Sequence, residues 1–340
     1  MLKSVVKTMA AIGLVAGLTS AGFASGAHAE VNTVRIAKQY GVSYLPLTMM
    51  EEQHLLEKHA KAEGLGDLKV EWLRFSSGSG MNEALLSGNL DFAGGGVGPM
   101  LTIWGKTQNN YKVKGVAAIN SMPLYLVTTN PNVKTIKDFT EKDKIGLPAV
   151  KVSIQAITLQ MAAEKAFGVG QSHKLDALTV SMSHPDAMTA MLGGHSEVDA
   201  HFGSPPYQNL ELKDPKAHLV LNSYDVLGGP HTFNSVWATT KFAESNPKVM
   251  KAFLGALDEA MANIKADPAK AAAIWVKAEN SKISVADAEK IIRDPVNEWT
   301  TTPKKVLSYL DYMNRAGLIT AKTKDWKDIY FPGIHSANGS

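Results

Sequence analysis

Strand-like and helix-like segments alternate along most of this chain, and that alternation limits the fold more than any other feature of the sequence. Strands are predicted at residues 33–37, 68–75, 89–93, 113–119 and 124–129, with a helix over 46–60 between the first two. Strands separated by single helices form a mostly parallel sheet with helices on both faces. The sequence therefore predicts an α/β fold.

The alternation restarts at residue 144, and one later stretch repeats an earlier one. In residues 84–93 a helix ends at a glycine and a strand with one aspartate, Asp91, follows; residues 190–200 repeat this order with Asp199. The repeat predicts two related α/β lobes. Because open α/β sheets bind ligands at the carboxyl ends of their strands, we expect two such edges to face each other across a cleft.

The composition argues against several classes of protein. Lys plus Arg number 35 and Asp plus Glu 32, whereas a dedicated nucleic-acid binder carries a strong basic excess. The chain has no cysteine, which excludes disulfides, cysteine-ligated zinc, a cysteine nucleophile and a lipidated cysteine anchor. Its 340 residues are enough for about two domains.

The N-terminal residues 1–29 have the organisation of a secretory signal peptide. Lys3 and Lys7 precede an apolar stretch over residues 9–18, and the segment 27–29 (AHA) matches the cleavage pattern of such peptides. The apolar stretch is about half as long as the roughly 20 residues that a membrane-spanning helix needs. We therefore predict cleavage before Glu30 and a periplasmic location.

Five segments occur in a characteristic order along the chain. They are residues 75–85 (FSSGSGMNEAL), 88–92 (GNLDF), 145–149 (IGLPA), 196–200 (SEVDA) and 317–331. In this order and spacing they resemble the ABC-transporter substrate-binding proteins of the nitrate, sulfonate and taurine class, over residues 33–332. Residues 150–153 (VKVS) depart from that class, in which a smaller glycine and serine loop is expected, and this leaves the ligand class open.

The resemblance implies the two-lobe fold of type II periplasmic binding proteins, in which two crossovers join the lobes and a hinge motion closes them on a ligand. We expect one lobe from residues 30–121 and 231–340 and the other from residues 122–230. The implied function is capture of a small solute and its delivery to an inner-membrane ABC permease with its ATPase. The protein is expected to be a monomer without a cofactor.

The expected ligand contacts lie at strand ends in both lobes. Hydroxyls and free backbone N–H groups at helix starts bind anions, loop aromatics cover an apolar ligand body, and Lys38 supplies a positive charge. The first-lobe candidates are Lys38, Tyr40, Ser43, Tyr44, Ser76, Ser77, Gly78, Ser79, Gly96, Val97 and Asn120. The second-lobe candidates are Lys151, Ser153, His184, Phe202, Gly203 and Ser204.

One row of residues resembles a set of metal ligands. His195, Glu197, Asp199 and His201 alternate with a period of two, so a strand would place them on one face. The matching Asp91 of the repeat, however, has no histidine neighbours. We therefore expect the two aspartates to cap or orient loops, and we predict no metal site.

The sequence shows no catalytic motif. It lacks a serine nucleophile elbow, an H-E-x-x-H segment and a P-loop, and Pro99 stands where the glycines of 94–98 would need a third member to bind a dinucleotide. Related folds host desulfinases and pyrimidine-precursor synthases, but the reactive cysteine that those need is absent. A pair of Ser77 and His184 across the cleft leaves an enzyme open as an alternative.

The predicted ligand is a small organic anion, a carboxylate or sulfonate with an apolar body. The loops 38–45, 76–80 and 94–98 contain no acidic residue, and helix N-termini favour negative charge. A zwitterion such as taurine also needs an acceptor for its ammonium group. Asp186 is the only acid near a predicted second-lobe loop. Nitrate, taurine, a thiamine-precursor-like pyrimidine and a metal-delivery role stay open as alternatives.

Overall fold

The computed structural model describes residues 29–194 and 196–340. The predicted signal peptide, up to residue 28, and His195 lie outside the described residues. The strands are β1 (Thr33–Lys38), β2 (Lys69–Arg74), β3 (Phe92–Gly96), β4 (Lys114–Ala118), β5 (Tyr125–Thr128), β6 (Ile145–Leu147), β7 (Thr179–Ser181), β8 (Ala200–Phe202), β9 (His218–Asn222) and β10 (Asn234–Ala238). The helices are α1 (Leu45–Glu52), α2 (Leu55–Ala62), α3 (Gly78–Leu86), α4 (Val97–Lys106), α5 (Ile154–Phe167), α6 (His184–Gly193), α7 (Tyr207–Glu211), α8 (Ser223–Leu227), α9 (Thr240–Ser245), α10 (Pro247–Ala266), α11 (Pro268–Ala278), α12 (Val285–Arg293) and α13 (Val306–Arg315).

The strands form two five-stranded sheets, one in each lobe. Their orders are β2-β1-β3-β10-β4 and β7-β6-β8-β5-β9. In each sheet one strand is antiparallel to both neighbours, β10 to β3 and β4, and β5 to β8 and β9. Both strands enter their sheet after the chain has crossed from the other lobe, at the edge where the parallel strands end. The other four strands of each sheet run in one direction, so the sheets are mostly parallel, as predicted, with one antiparallel strand each.

Two local differences from the predicted elements lie in the first lobe. The predicted helix over 46–60 is two helices, α1 and α2, separated at His54, whose φ is 50°. The glycines of 94–96 were predicted in a loop but form the end of β3. A Cβ at Gly94 would lie 2.8 Å from Leu47 Cδ1. The glycines thus let α1 pack directly on the strand.

Helix α10 closes the first lobe by packing on α1 and α2. Its side chains Val249, Phe253, Leu257 and Ile264 recur at helical spacing and are buried. Phe253 stacks on Phe92 of β3 with ring centroids 4.3 Å apart. Each such burial stabilises the fold by about 1.5–3 kcal/mol relative to exposure. Within the described residues, no helix combines the length and apolar character needed to cross a membrane.

Two connections join the sheets, and they run side by side. The predicted lobe boundary at 121/122 lies between β4 and β5, and the one at 230/231 lies between α8 and β10. Ser121 Oγ donates to the His231 carbonyl at 2.7 Å, and Ser121 forms an antiparallel bridge with Thr232. The exact boundaries stay predictions, and the paired connections are where a hinge between the lobes would bend.

Candidate functional site: the cleft between the lobes

The carboxyl ends of the parallel strands of both sheets meet across a cleft. Helices α3 and α4 of the first lobe and α5 and α6 of the second begin there. The inner pocket of this cleft is lined by Gln39, Tyr44, Gly78, Gly96, Pro99, Pro148, Ser153, Ile154, Gln155, His184 and Phe233. Its mouth is lined by Ser76, Ser77, Ser79, Pro148, Ala149, Val150, Val152, Ser181, Met182, Ser183 and Asp186. Both lobes contribute to each part.

The lobes touch around the inner pocket. A Cβ at Gly96 would lie 2.8 Å from Ile154 Cγ2, and a Cβ at Gly98 would lie 2.8 Å from the Val152 carbonyl oxygen. The inner pocket has a volume of about 10 Å³, room for about one water molecule, and the mouth about 620 Å³. The cleft is therefore closed, and its enclosed part is smaller than an organic ligand.

The serine-rich loop before α3 forms one wall of the mouth. Ser77 is the N-cap of α3, and its Oγ accepts a hydrogen bond at 3.4 Å from a backbone N–H in the first turn. Ser76 is exposed, and Ser79 Oγ is buried without a partner among the described residues. A Cβ at Gly78 would lie 2.7 Å from Pro99 Cγ. The structure thus brings these four predicted residues together at the cleft.

Tyr44 and Asn120 belong to a polar network beside the inner pocket that includes Asn234, which was not among the predicted contacts. The Tyr44 hydroxyl donates to Asn234 Oδ1 at 3.2 Å, and the Asn234 N–H donates to Asn120 Oδ1 at 3.1 Å. Asn120 Nδ2 donates to the Ser43 carbonyl. Ser43 Oγ and Asn234 Nδ2 are buried without partners among the described residues. The available signal in the sequence was an amide side chain just before the apolar residues 236–238.

Lys38 is buried in an ion cluster and does not reach the cleft as a free charge. Its Nζ lies 2.7 Å from Thr48 Oγ1, 2.6 Å from Glu51 Oε2 and 3.7 Å from Glu279 Oε1. These carboxylates neutralise the ammonium. Both carboxylates come from outside the loops 38–45, 76–80 and 94–98, which themselves contain no acid. Lys38 was expected to pair with the charge of a ligand, but in the structure it pairs with these two carboxylates.

Tyr40 lies at the closed edge of the cleft, outside the lining of the inner pocket. The Arg74 guanidinium lies over its ring, 5.1 Å from the centroid, and pairs with Glu279 through Nη2 and Oε1 at 2.8 Å. Beside it, a Cβ at Gly41 would lie 3.4 Å from Tyr207 Cε2 of the second lobe. Tyr40 thus stands next to a contact between the lobes.

Three residues that were predicted to contact the ligand lie where they would not reach a ligand in the cleft. The Val97 N–H donates to the Phe233 carbonyl at 3.0 Å, so it is already paired. Phe202 is fully buried in the hydrophobic core, so its ring cannot cover a ligand. Lys151 is exposed, with a φ of 65° in the turn before α5, and is outside the lining of both parts of the cleft.

The small second-lobe candidates lie where the lobes approach each other. Ser153 is the N-cap of α5, and its Oγ accepts from the Ala156 N–H at 3.2 Å. Gly203 lies beside the His201 ring, 3.3 Å from a Cβ built on the glycine. Ser204 is fully buried, and its Oγ has no partner among the described residues.

His184 begins α6 and stands at the end of a buried chain of polar groups. Its Nδ1 lies 2.8 Å from His201 Nε2, and His201 Nδ1 is hydrogen-bonded to Glu211 Oε1. On the pocket side, His184 Nε2 lies 3.3 Å from Gln155 Nε2. Burial, and then the positive charge of His201, lowers the pKa of His184 well below its ordinary value. Glu211 was not predicted.

Two members of the alternating set at 195–201, Asp199 and His201, make structural contacts with other described residues. Asp199 Oδ1 accepts from the Lys144 N–H at 3.0 Å, and His201 pairs with Glu211. No group of three or more histidine, aspartate or glutamate side chains within residues 29–194 and 196–340 could hold a metal ion.

Solved structures with the same fold include binding proteins for sulfonates and nitrate. The alkanesulfonate-binding protein SsuA from Xanthomonas axonopodis pv. citri, bound to MOPS, matches with a TM-score of 0.68 and 20% identity, over 86% of this chain and 96% of that chain. The periplasmic aliphatic sulphonate binding protein SsuA from Escherichia coli matches with a TM-score of 0.63 and 21% identity, over 88% and 99%. The periplasmic nitrate-binding protein NrtA from Synechocystis PCC 6803 matches with a TM-score of 0.67 and 15% identity, over 88% and 85%.

The sequence itself identifies the family. A search of curated protein sequences gives no significant match. The sequence model of the family described as NMT1/THI5 like matches residues 38–271, from the end of β1 into α11 and across both sheets. The chain therefore belongs to the NMT1/THI5-like family, with the two-lobe fold of the periplasmic sulfonate- and nitrate-binding proteins.

Proposed function

We propose that this protein is the periplasmic solute-binding component of an ABC importer and that it captures a small organic anion between its lobes. The family and the shared fold support a binding role. The observation that best supports an anionic ligand is that α3, α4, α5 and α6 all begin at the cleft. The described residues lining the inner pocket include no Asp, Glu, Lys or Arg.

The electrostatic argument comes from the N-termini of α4 and α5. Each helix N-terminus carries partial positive charge and unpaired N–H groups. A Cβ at Gly98 of α4 would lie 3.1 Å from the Ile154 nitrogen of α5, and α4 has no side-chain cap. These two positive ends lie against each other across the lobe boundary. An anionic head group between them would favour the closed arrangement.

Uncharged donors and apolar side chains complete the site. Ser43 Oγ and Asn234 Nδ2 are buried without partners among the described residues, and a ligand oxygen would satisfy them at a gain of about 1 kcal/mol each. Val150, Val152 and Met182 line the mouth, which suits an apolar body attached to the anionic head. A carboxylate or a sulfonate with a short hydrocarbon chain fits both parts.

Binding requires the lobes to move. The inner pocket holds about 10 Å³, so an organic anion enters only after the lobes separate. The paired connections at Ser121 and Thr232 allow such a hinge motion, and the closed liganded form would be the one that the permease recognises. The protein would act as a monomer, because each chain carries both walls of the cleft.

A second candidate ligand is an uncharged pyrimidine. The amides of Gln39 and Gln155 line the inner pocket, and those of Asn120 and Asn234 lie beside it, as a heterocycle with both donors and acceptors would need. Taurine stays the weaker choice, because Asp186, the acid at the mouth, already accepts a hydrogen bond from Ser183 Oγ at 2.5 Å.

Calorimetry with matched ligands tests the proposal. The ligands are propane-1-sulfonate, butanoate, MOPS, nitrate and taurine, with butanamide as a neutral isostere, butylammonium as a cation and an aminopyrimidine. We expect at least one sulfonate or carboxylate to bind more than tenfold tighter than the neutral isostere. At 100 times its dissociation constant it should stabilise the protein by about 2.7 kcal/mol. Tighter binding of butanamide, butylammonium or the pyrimidine would contradict the proposal that the ligand is an anion.

A further inference from the structure

Glu211 places a carboxylate in a part of the second lobe that water does not reach. Glu211 and His201 are both fully buried. Glu211 Oε1 is bonded to His201, and Oε2 has no partner among the described residues. A buried carboxylate needs a positive partner, because desolvation of an unpaired charge costs several kcal/mol. In the described chain His201 is the basic group bonded to Glu211, so a second proton on His201 neutralises the pair.

A doubly protonated His201 fixes where the proton of His184 lies. His201 then donates through Nδ1 to Glu211 and through Nε2 to His184 Nδ1, 2.8 Å away. Because His184 Nδ1 accepts, the single proton of a neutral His184 ring lies on Nε2. The ring is neutral because burial and the charge of His201 lower the pKa of His184 well below its ordinary value.

The hydrogen-bonded series Glu211–His201–His184 ends in the inner pocket, where the amide of Gln155 is a second donor beside His184. Gln155 Nε2 is 3.3 Å from His184 Nε2, a contact that is a hydrogen bond only when His184 Nε2 is unprotonated. With the proton on Nε2, both groups are N–H donors. They can converge on one acceptor oxygen placed between them. The Tyr207 ring stacks on His184, with centroids 5.8 Å apart and planes inclined by 21°, which holds the imidazole in this orientation.

We propose that Glu211 and His201 are positioning residues that make His184 Nε2 a hydrogen-bond donor to an oxygen of the bound ligand. The assignment of that oxygen to an anion rests on the proposed function, whereas the arrangement of protons does not. This arrangement of protons disfavours ligands that present an N–H group to His184 Nε2, because two donors would then face each other.

The proton arrangement is tested first, on the ligand-free mature protein labelled with 15N-histidine. The 15N shifts of the two ring nitrogens distinguish a protonated from an unprotonated nitrogen, and a His184→Gln variant assigns the signals. We expect His184 to be protonated at Nε2 and unprotonated at Nδ1. A proton on Nδ1 would overturn the proposal, whatever ligand the protein binds.

Glu211→Gln tests the role of the carboxylate. Without its charge, a neutral His201 keeps its proton on Nδ1, its Nε2 becomes an acceptor, and the His184 proton moves to Nδ1. We expect the tautomer to reverse and the affinity for propane-1-sulfonate or butanoate to fall about 10- to 100-fold, as for one charge-assisted hydrogen bond. Asp143→Asn is the matched control, since it also replaces a buried carboxylate of the second lobe and should change neither quantity.

The outcomes separate the two claims. A fall in affinity without a change of tautomer in Glu211→Gln, or a reversed tautomer with unchanged affinity, would overturn the role assigned to Glu211 and His201. If neither anion binds the wild type, the proposed function fails, and the 15N shifts still decide the proton arrangement. If Glu211→Gln does not fold by circular dichroism, the wild-type shifts alone decide it.

Discussion

Asp91 in the first lobe and Asp199 in the second hold equivalent positions in their sheets. Each carboxylate accepts a hydrogen bond from the backbone N–H opposite it on the neighbouring strand, from Arg35 within β1 at 2.8 Å and from Lys144 just before β6 at 3.0 Å. Each precedes the strand at the centre of its sheet, β3 or β8. The repeat seen in the sequence is thus a structural repeat. The two sites differ in charge, because Asp91 also pairs with the Arg35 guanidinium, whereas Asp199 is hydrogen-bonded to Asp143.

Asparagine substitutions at these two positions should have opposite effects at pH 7.5. Asp91→Asn removes the ion pair with Arg35 and should lower the free energy of unfolding by about 1–3 kcal/mol. Burial, and then the hydrogen bond with Asp143, raises the pKa of Asp199 to about 6. Stability from the protonated carboxyl is therefore lost as pH rises from about 4 to about 6. Asparagine keeps the protonated hydrogen-bond pattern, so Asp199→Asn should be about 1 kcal/mol more stable than wild type at pH 7.5, after allowance for solvent screening.

Urea unfolding at pH 4 and pH 7.5 checks this pair of predictions. The advantage of Asp199→Asn should disappear at pH 4, where the wild-type carboxyl is protonated in the folded chain. Equal destabilisation by both substitutions at pH 7.5 would show that ionised Asp199 does not destabilise the folded protein, and so that its pKa is not raised.

Gly98→Ala should block closure of the cleft without harming the first lobe. The new Cβ would lie 2.8 Å from the Val152 carbonyl oxygen of the second lobe, whereas alanine within α4 is favoured over glycine by about 0.5–1 kcal/mol. We expect ligand affinity to fall at least tenfold and small-angle scattering to show no compaction on addition of ligand. Gly193→Ala is the control, because a Cβ there meets nothing within 4 Å. Normal compaction of Gly98→Ala would mean that the lobes do not meet there on closure.

Two buried serines should respond differently to replacement by alanine. Ser43 Oγ has no partner among the described residues, so Ser43→Ala should leave the ligand-free protein as stable or up to about 1 kcal/mol more stable, while it weakens ligand binding. Ser223 Oγ is bonded to the Leu124 N–H and to His231 Nε2, both at 2.8 Å. Ser223→Ala should therefore cost about 1–3 kcal/mol. Thermal unfolding with and without ligand measures both effects, and a destabilised Ser43→Ala would point to a structural role.

Glu30, the predicted first residue of the mature chain, caps α10. Its carboxylate accepts from the N–H groups of Lys248 at 3.0 Å and Val249 at 2.9 Å. We expect Glu30→Ala to lower the free energy of unfolding by about 1 kcal/mol, as loss of an N-cap does. Mass spectrometry of the exported protein should find Glu30 at the N-terminus. Retention of residues 1–29 in the exported protein would contradict the predicted cleavage.

The alternation of strands and helices could be predicted from the sequence because local periodicity sets it. Most of the serine and glycine positions of the cleft, such as Ser77 and Gly96, could be predicted for the same reason, since strand-to-helix loops always lie at the carboxyl edge of a sheet. The split of the helix at His54 could not, because the apolar spacing continues across it.

The contacts that decide the electrostatics of the cleft could not be predicted from sequence. Lys38 is neutralised by Glu51 and Glu279, and His184 is oriented by Glu211, through partners on other elements of the fold. Phe202 looked like a ligand contact because it ends a strand, but the alternation of side chains along β8 directs it into the core. Pairings between distant elements have no local pattern in the sequence.

The most direct test of the central claim is a crystal structure of the mature protein with its tightest-binding ligand from the calorimetric panel. The account predicts an anionic head group between the N-termini of α4 and α5, with an oxygen within hydrogen-bond distance of His184 Nε2 and the apolar body towards Val152 and Met182. A ligand bound outside the cleft, or a cationic group at that position, would contradict it.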